Sequence, residues 1–301
     1  MIYWRPGSRA VGSRAAAYFR LIRFEHTLFA LPYVYIGLLF APAVPTLYVL
    51  IAATGCAVCA RTSAMLLNRI IDRPIDRRNP RTRDREKLIV EIGKPALMAG
   101  LAGSVAGLAV FTYLLSAILL FLVPVAVGLF VAYPYTKRFT AGSHLLLGVS
   151  LSVAPIGGFL AGLREFPFPL TAGLPLIPLS LAVLFWVAGF DIIYALDDLE
   201  FDRRTGLHSV PAWLGYRNAQ LVVLVLYTLA SALLFSLFFL TPMVGYAWFA
   251  ACVAAAAVLL WEQAAVTRGR ADPTRRKAAF NANLAISPML LLALALDIWI
   301  I

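Results

Sequence analysis

Nine apolar runs of spanning length follow one another along this chain, at about 27–46, 48–68, 96–114, 117–135, 144–162, 173–193, 219–240, 242–262 and 281–301. Each is close to the roughly 20 residues an α-helix needs to cross a hydrocarbon core. That core offers no water to unpaired amides and carbonyls, so runs of this length fold as helices. The expected fold is an all-alpha, multi-pass membrane protein, with residues 1–301 forming one integral-membrane domain. Only 14% of the residues are charged, against about 25% in a soluble globular domain.

The connections between these runs alternate in charge. The 69–95 stretch carries nine basic residues, from Arg69 to Lys94. Lys137 and Arg138, then Arg203, Arg204 and Arg217, then Arg268, Arg270, Arg275, Arg276 and Lys277 occupy every second connection thereafter. The connections between them hold no charge, or only Arg164 and Glu165. The positive-inside rule then places the N-terminus and the basic connections in the cytoplasm, and nine crossings put the C-terminus outside. The net charge of +11 is thus a membrane-topology signal rather than a nucleic-acid footprint. The basic segment MIYWRPGSRAVGSR reads as a lead-in at the lipid surface, since the apolar run after it is too long for a signal peptide. Cys56, Cys59 and Cys252 lack the partners of a zinc site and read as packing residues.

Two carboxylate clusters interrupt the apolar pattern. Asn68, Asp72 and Asp76 lie in LLNRIIDRPIDRRNPRT, and Asp191, Asp198 and Asp202 in FDIIYALDDLEFDRRTG. Ionisable groups beside membrane helices are costly and usually functional. At 100° per residue, Asn68, Asp72 and Asp76 share one face, drifting by about 80°. Pro74 is expected to end or bend that helix before Asp76. On one continuous helix Asp198 and Asp202 lie within about 20° of Asp191, whereas Asp197 and Glu200 point elsewhere. Tyr194 is about 60° away and lines the same side. Both clusters fall on the cytoplasmic side, so they can share a site. Several facing carboxylates repel one another unless cations neutralise them, and Mg²⁺ takes hard oxygen ligands while bridging to substrate phosphates. Arginine and lysine at the rim would bind the same phosphates. Tyr133 and Lys137, four apart on one helical face, are the best-placed pair. Arg61 and Arg69 flank the first cluster, with Arg61 inside an apolar run. His208 follows the second cluster and either contacts phosphate or orders its loop; His26 and His144 read as structural.

These residues resemble the UbiA-type intramembrane aromatic prenyltransferases. Asn68, Asp72 and Asp76 match the family's first motif, and Asp191, Tyr194, Asp198 and Asp202 its second. RFEHTLFALP, ARTSAMLLNR, NPRT, YPYTKRFT and GLHSVP resemble the branch of 4-hydroxybenzoate polyprenyltransferases and their futalosine-pathway menaquinone relatives. The resemblance implies helices around a central cavity open to lipid, with cytoplasmic cap loops after the second and sixth helices. It implies two Mg²⁺ ions, held by Asn68, Asp72, Asp76, Asp198 and Asp202, that bind a polyprenyl diphosphate. The aromatic acid acceptor would be 4-hydroxybenzoate or a dihydroxynaphthoate. Tyr133 and Lys137 match diphosphate contacts, and Asp191 a residue near the cation or the acceptor. The chain departs from many relatives at Arg69, where they carry aspartate, and at His208, where they carry lysine. No nucleic acid and no obligate protein partner are implied. A transporter that couples ions through membrane aspartates is the alternative from another class. A CDP-alcohol phosphotransferase is disfavoured, because its single long aspartate motif is missing.

Overall fold

The computed structural model describes residues 14–23, 27–163, 170–268, 278 and 281–300. Its helices are α1 (Arg14–Ile22), α2 (Thr27–Phe40), α3 (Leu47–Asp76), α4 (Asp84–Ile92), α5 (Lys94–Leu115), α6 (Leu122–Thr136), α7 (Ser143–Gly162), α8 (Leu176–Ala195), α9 (Leu199–Thr205), α10 (Val210–Leu240), α11 (Tyr246–Arg268) and α12 (Ile286–Ile300). Among the described residues, eight helical segments are long and apolar enough to cross a membrane. The protein is a multi-pass, all-alpha membrane protein.

Against the nine expected spans, the described residues form eight long apolar segments and one shorter apolar helix. The first expected span, 27–46, shrinks to the 14 residues Thr27–Phe40. Pro42 and Pro45 fall just beyond Phe40, and a proline removes a helical donor and disfavours helix in the residue before it. Thr46 then caps α3, its side chain accepting from the Val49 amide.

Two other expectations fail at the motifs. Pro74 does not end its helix: α3 runs 30 residues, through Asp76. In the turn before the proline, Arg138 Nη2 donates to the carbonyl of Ile71, 2.8 Å away. The second motif is not one continuous helix. α8 stops at Ala195, residues 196–198 form a tight 3₁₀ turn, and α9 begins at Leu199. The wheel angles for Asp198 and Asp202 therefore do not apply. Gly206, at φ 69°, caps α9 in the left-handed region, where glycine carries no Cβ penalty.

α2, α7, α8, α10, α11 and α12 pack in sequence into a closed ring, α12 returning to α2, while α3 packs on α5 and α6 beside it. The ring has the main apolar core, around Tyr33, Trp186, Tyr227, Trp248 and Leu290. A buried polar chain also ties it: Trp186 donates to Asn283, while Asn283 and Tyr227 both donate to Glu262 Oε2 (2.7, 2.7 and 2.6 Å). α1 and α4 pack together against α3, burying Ala17, Leu21, Ile89 and Ile92 with Met65 and Leu66. α10 is not straight: Gly215 adopts φ 80°, ψ 171°, which breaks the helix after its first turns.

α2 and α7 cross so closely that a Cβ on Gly158 would sit 1.9 Å from the Val34 carbonyl oxygen, and one on Gly37 equally near that of Pro155. Small residues allow such backbone approach in membranes. Gly158→Ala should cost about 1–3 kcal/mol, read as a lowered thermal unfolding midpoint in detergent. Gly103→Ala, on α5 with nothing near its Cβ, should leave the midpoint within error.

Candidate active site

The last two turns of α3 carry Asp72 and Asp76 to the mouth of a cavity of about 460 Å³. Asn68, Arg61 and Arg69 line it from the same helix, Tyr133 and Lys137 from the end of α6, and Asp191 and Tyr194 from α8. Asp198, Asp202 and His208 complete the wall from the segment after α8. All the residues singled out from the sequence as site candidates thus border one space. Its deeper part is apolar, with Val34, Ala53, Leu108, Phe130, Leu151 and Phe190.

Each carboxylate at this mouth has a partner. Lys137 Nζ donates to Asp72 Oδ2 at 2.5 Å, and Asn68 Nδ2 donates to the same oxygen at 3.1 Å. Arg85 Nη1 reaches both oxygens of Asp76, at 2.8 and 3.1 Å. Arg81 grips Asp198 with both Nε and Nη2, and Asn79 Nδ2 donates to the same carboxylate at 2.8 Å. Ser209 Oγ donates to Asp202 at 2.8 Å, and the His144 ring meets Asp191 at 2.7 Å. Arg81 also stacks over Tyr194, 4.3 Å from the ring centre. Burial works against the Arg81 charge, but the hydrogen bonds and field of Asp198, with Tyr194, outweigh it and hold the guanidinium protonated.

The contacts of Asn79 and Arg81 join the two motifs directly. The turn after α3 belongs to the first and Asp198 to the second, 117 residues on from Arg81. Asn79 braces this turn by accepting from the Arg81 amide, and Thr82 Oγ1 donates to the Asp76 carbonyl. Asn79, Arg81 and Thr82 come from the NPRT stretch, which with GLHSVP carried the family resemblance; neither they nor Arg85 and Ser209 were named as site residues, and His144 was read as structural. A polar turn within nine residues of Asp76 was the available signal for the first four. The roles of Ser209 and His144 depend on tertiary contact.

Some candidates sit differently from their expected use. Arg69 is 5% exposed, and its donors go to the Leu21 carbonyl and Asn68 Oδ1. It ties α1 to α3. His208 is exposed and borders the cavity, and its backbone amide donates to the Lys137 carbonyl at 2.7 Å. Glu200 is exposed and pairs with Arg204, as expected for a residue off the motif face. His26 lies outside the described residues.

Carboxylates, an asparagine oxygen and no soft ligand form a donor set suited to a hard divalent cation. Asp72 Oδ1 is buried without a hydrogen-bond partner, a state that costs free energy unless something completes it. Among the described residues no three His, Cys, Asp or Glu side chains converge on a point a metal ion would occupy, and Lys137, Arg85 and Arg81 engage three of the carboxylates.

Residues 30–285 match the UbiA prenyltransferase family. The chain belongs to that family. It is 29% identical to a 4-hydroxybenzoate octaprenyltransferase of Nitrosomonas eutropha over 94% of this chain and 97% of that one. The protein of the same description from Nitrosomonas europaea is 30% identical, over 94% and 95%. The apo structure of a UbiA homolog from Aeropyrum pernix K1 shares 32% identity and a TM-score of 0.81, covering 91% of this chain and 98% of that chain. A UbiA homolog from Archaeoglobus fulgidus bound to GPP and Mg²⁺ has the same fold, with TM-score 0.69 at 19% identity over 94% and 99%.

The bridge between the motifs is testable without turnover. Charge-assisted hydrogen bonds contribute about 1.5–3 kcal/mol. Arg81→Gln should therefore speed amide hydrogen exchange in residues 77–83 by about tenfold, or ~1.4 kcal/mol, in detergent-solubilised protein. Exchange in α10 beyond Gly215 should not change.

Proposed function

We propose that this protein transfers a polyprenyl group from a polyprenyl diphosphate to the ring of an aromatic acid such as 4-hydroxybenzoate, in quinone biosynthesis. The observation that carries this reading is the joining of the two motifs across one cavity, with a polar mouth and an apolar interior, in a chain of the UbiA family. Asn68, Asp72, Asp76, Asp198 and Asp202 would hold magnesium, two ions among them. Bound there, magnesium neutralises charge on the departing diphosphate.

The protein's own residues divide the remaining work. Lys137, Arg81 and Arg85 already crowd the mouth, where cations stabilise the negative charge gathered by a leaving diphosphate. Tyr133 and His208 border the same region. As the allylic C–O bond breaks, both its electrons leave with the diphosphate and the prenyl carbon becomes cationic. Tyr194 and Phe190 line the wall there, and aromatic faces attract cations. The apolar lining keeps water from capturing that carbon. A ring carbon of the acceptor supplies the electron pair for the new C–C bond, and the ring proton then leaves. Arg61, two helical turns deeper than Asn68 on α3, offers a positive charge for the acceptor carboxylate, and Asp191 orients the acceptor ring.

The mouth lies on the end of the bundle that carries the basic connections, which supports a cytoplasmic site, an N-terminus inside and a C-terminus outside. A dihydroxynaphthoate, the acceptor of menaquinone biosynthesis, presents the same carboxylate and activated ring, so the assay includes both acids.

In liposomes, geranylgeranyl diphosphate and a radiolabelled acceptor should give prenylated product only with Mg²⁺, and EDTA should abolish it. Asp72→Asn and Asp198→Asn should each lower the rate by about 10²–10³-fold in folded protein. Product from the naphthoate alone would reassign the acceptor. The absence of both diphosphate binding and turnover in folded protein would refute prenyl transfer and favour an ion-coupled transporter.

A further inference from the structure

His144 sits on α7 and is 4% exposed. Its two ring nitrogens have different partners. The backbone N–H of Val210 faces Nε2 at 3.3 Å, and Asp191 Oδ2 faces Nδ1 at 2.7 Å. An amide can only donate, so Nε2 must keep its lone pair and accept. The one proton of the neutral ring then resides on Nδ1 and is given to Asp191. A second ring proton would have to displace the Val210 amide. The hydrogen-bond network thus selects one tautomer.

The source of that amide is informative. Val210 opens α10, and the first amides of a helix have no partner within it. Ser209 caps the same helix by accepting from the Ala212 amide, and its hydroxyl donates to Asp202 Oδ2. One helix start therefore fixes two motif carboxylates, Asp202 through a hydroxyl and Asp191 through an imidazole. With Oδ2 of Asp191 engaged by His144, Oδ1 is the oxygen left for the cavity that Asp191 borders.

We propose that His144 is a positioning residue for the transfer reaction. As the neutral Nδ1–H tautomer, it fixes the rotation of the Asp191 carboxylate so that Oδ1 is held toward the acceptor ring. The proposal rests on the prenyl-transfer reading of the cavity. It explains why an imidazole, with a donor and an acceptor on opposite sides of a rigid ring, stands between a backbone amide and a carboxylate. A carboxylate held by this second residue keeps the geometry that a reacting pair needs, and a misplacement of about 1 Å can cost 10²-fold in rate.

Amide substitutions of the histidine separate positioning from mere support of α10. His144→Asn keeps an amide N–H where Nδ1 stood, facing Asp191. His144→Gln instead places its amide where Nε2 stood, where its oxygen can accept from Val210. Transfer by His144→Asn should stay within about fivefold of the parent, whereas His144→Gln and Asp191→Asn should lose roughly 10–100-fold in kcat. The KM for the prenyl diphosphate and its Mg²⁺-dependent binding should be unchanged. The opposite ranking, with His144→Gln active and His144→Asn impaired, would make His144 a helix support and overturn the proposal.

A second readout needs no turnover. The chain has three histidines, so ¹⁵N-histidine labelling gives a spectrum simple enough to assign by loss of one signal in His144→Asn. His144 should show a protonated Nδ1 and a bare Nε2, with the Nδ1 proton shifted in Asp191→Ala. An Nε2–H tautomer or a doubly protonated ring would also overturn the proposal. The expected tautomer in a wild-type protein that prenylates no acceptor would refute the transfer reading while leaving the His144–Asp191 pair intact.

Discussion

Carboxylates at the end of a membrane helix need compensation, and the structure around the cavity is organised by how that compensation is supplied. Removing an ion from water costs several kcal/mol unless partners restore the lost interactions. Lys137 reaches Asp72 from α6, Arg85 reaches Asp76 from α4, and Arg81 reaches Asp198 from the turn after α3. Each of these pairs joins segments that are separate in the chain. The charges that make the site suited to diphosphate chemistry are therefore also the contacts that assemble its mouth.

The rest of the molecule gives these pairs a rigid frame. The close crossing of α2 and α7 at Gly37 and Gly158 fixes one side of the cavity. The ring from α7 through α12 fixes α8, which carries Asp191 and Tyr194. Away from the cavity, Tyr227 and Asn283 converge on Oε2 of the Glu262 carboxyl, while its Oε1 is buried without a hydrogen-bond partner. Arg69, placed next to Asn68 in the motif, serves the frame as well, holding α1 through the Leu21 carbonyl. A basic residue beside a motif thus carries a structural contact while it borders the cavity.

Much of this was legible in the sequence, because spanning length and charge alternation are one-dimensional signals. Runs such as 144–162 and 117–135 lie close to Ser143–Gly162 and the 20-residue segment Ala117–Thr136. The failures have local physical causes. Helical arithmetic assumes uninterrupted geometry, so it passed over the turn at 196–198 and was too cautious at Pro74. A proline predicts a lost hydrogen bond, but here the helix continues through it to Asp76. The short α2 reflects prolines at 42 and 45 inside what reads as one apolar stretch. Asn79 and Arg81 lay in the open, in NPRT, yet their partner Asp198 is more than a hundred residues away. His144, set between Ser143 and a run of leucines, gains its meaning only from the end of α8 and the start of α10.

The break at Gly215 bears on how the protein tolerates its surroundings. Long helices accommodate changes in bilayer thickness by tilting, and α10 spans 31 residues. Without a joint, its tilt would swing Ser209 and Val210, and with them Asp202 and His144. The glycine lets the first turns of α10 run in a different direction from the remainder, which packs in the ring against α8 and α11. The way the start of α10 presents Ser209 and Val210 to the two motif carboxylates is thereby set apart from the direction of its membrane span.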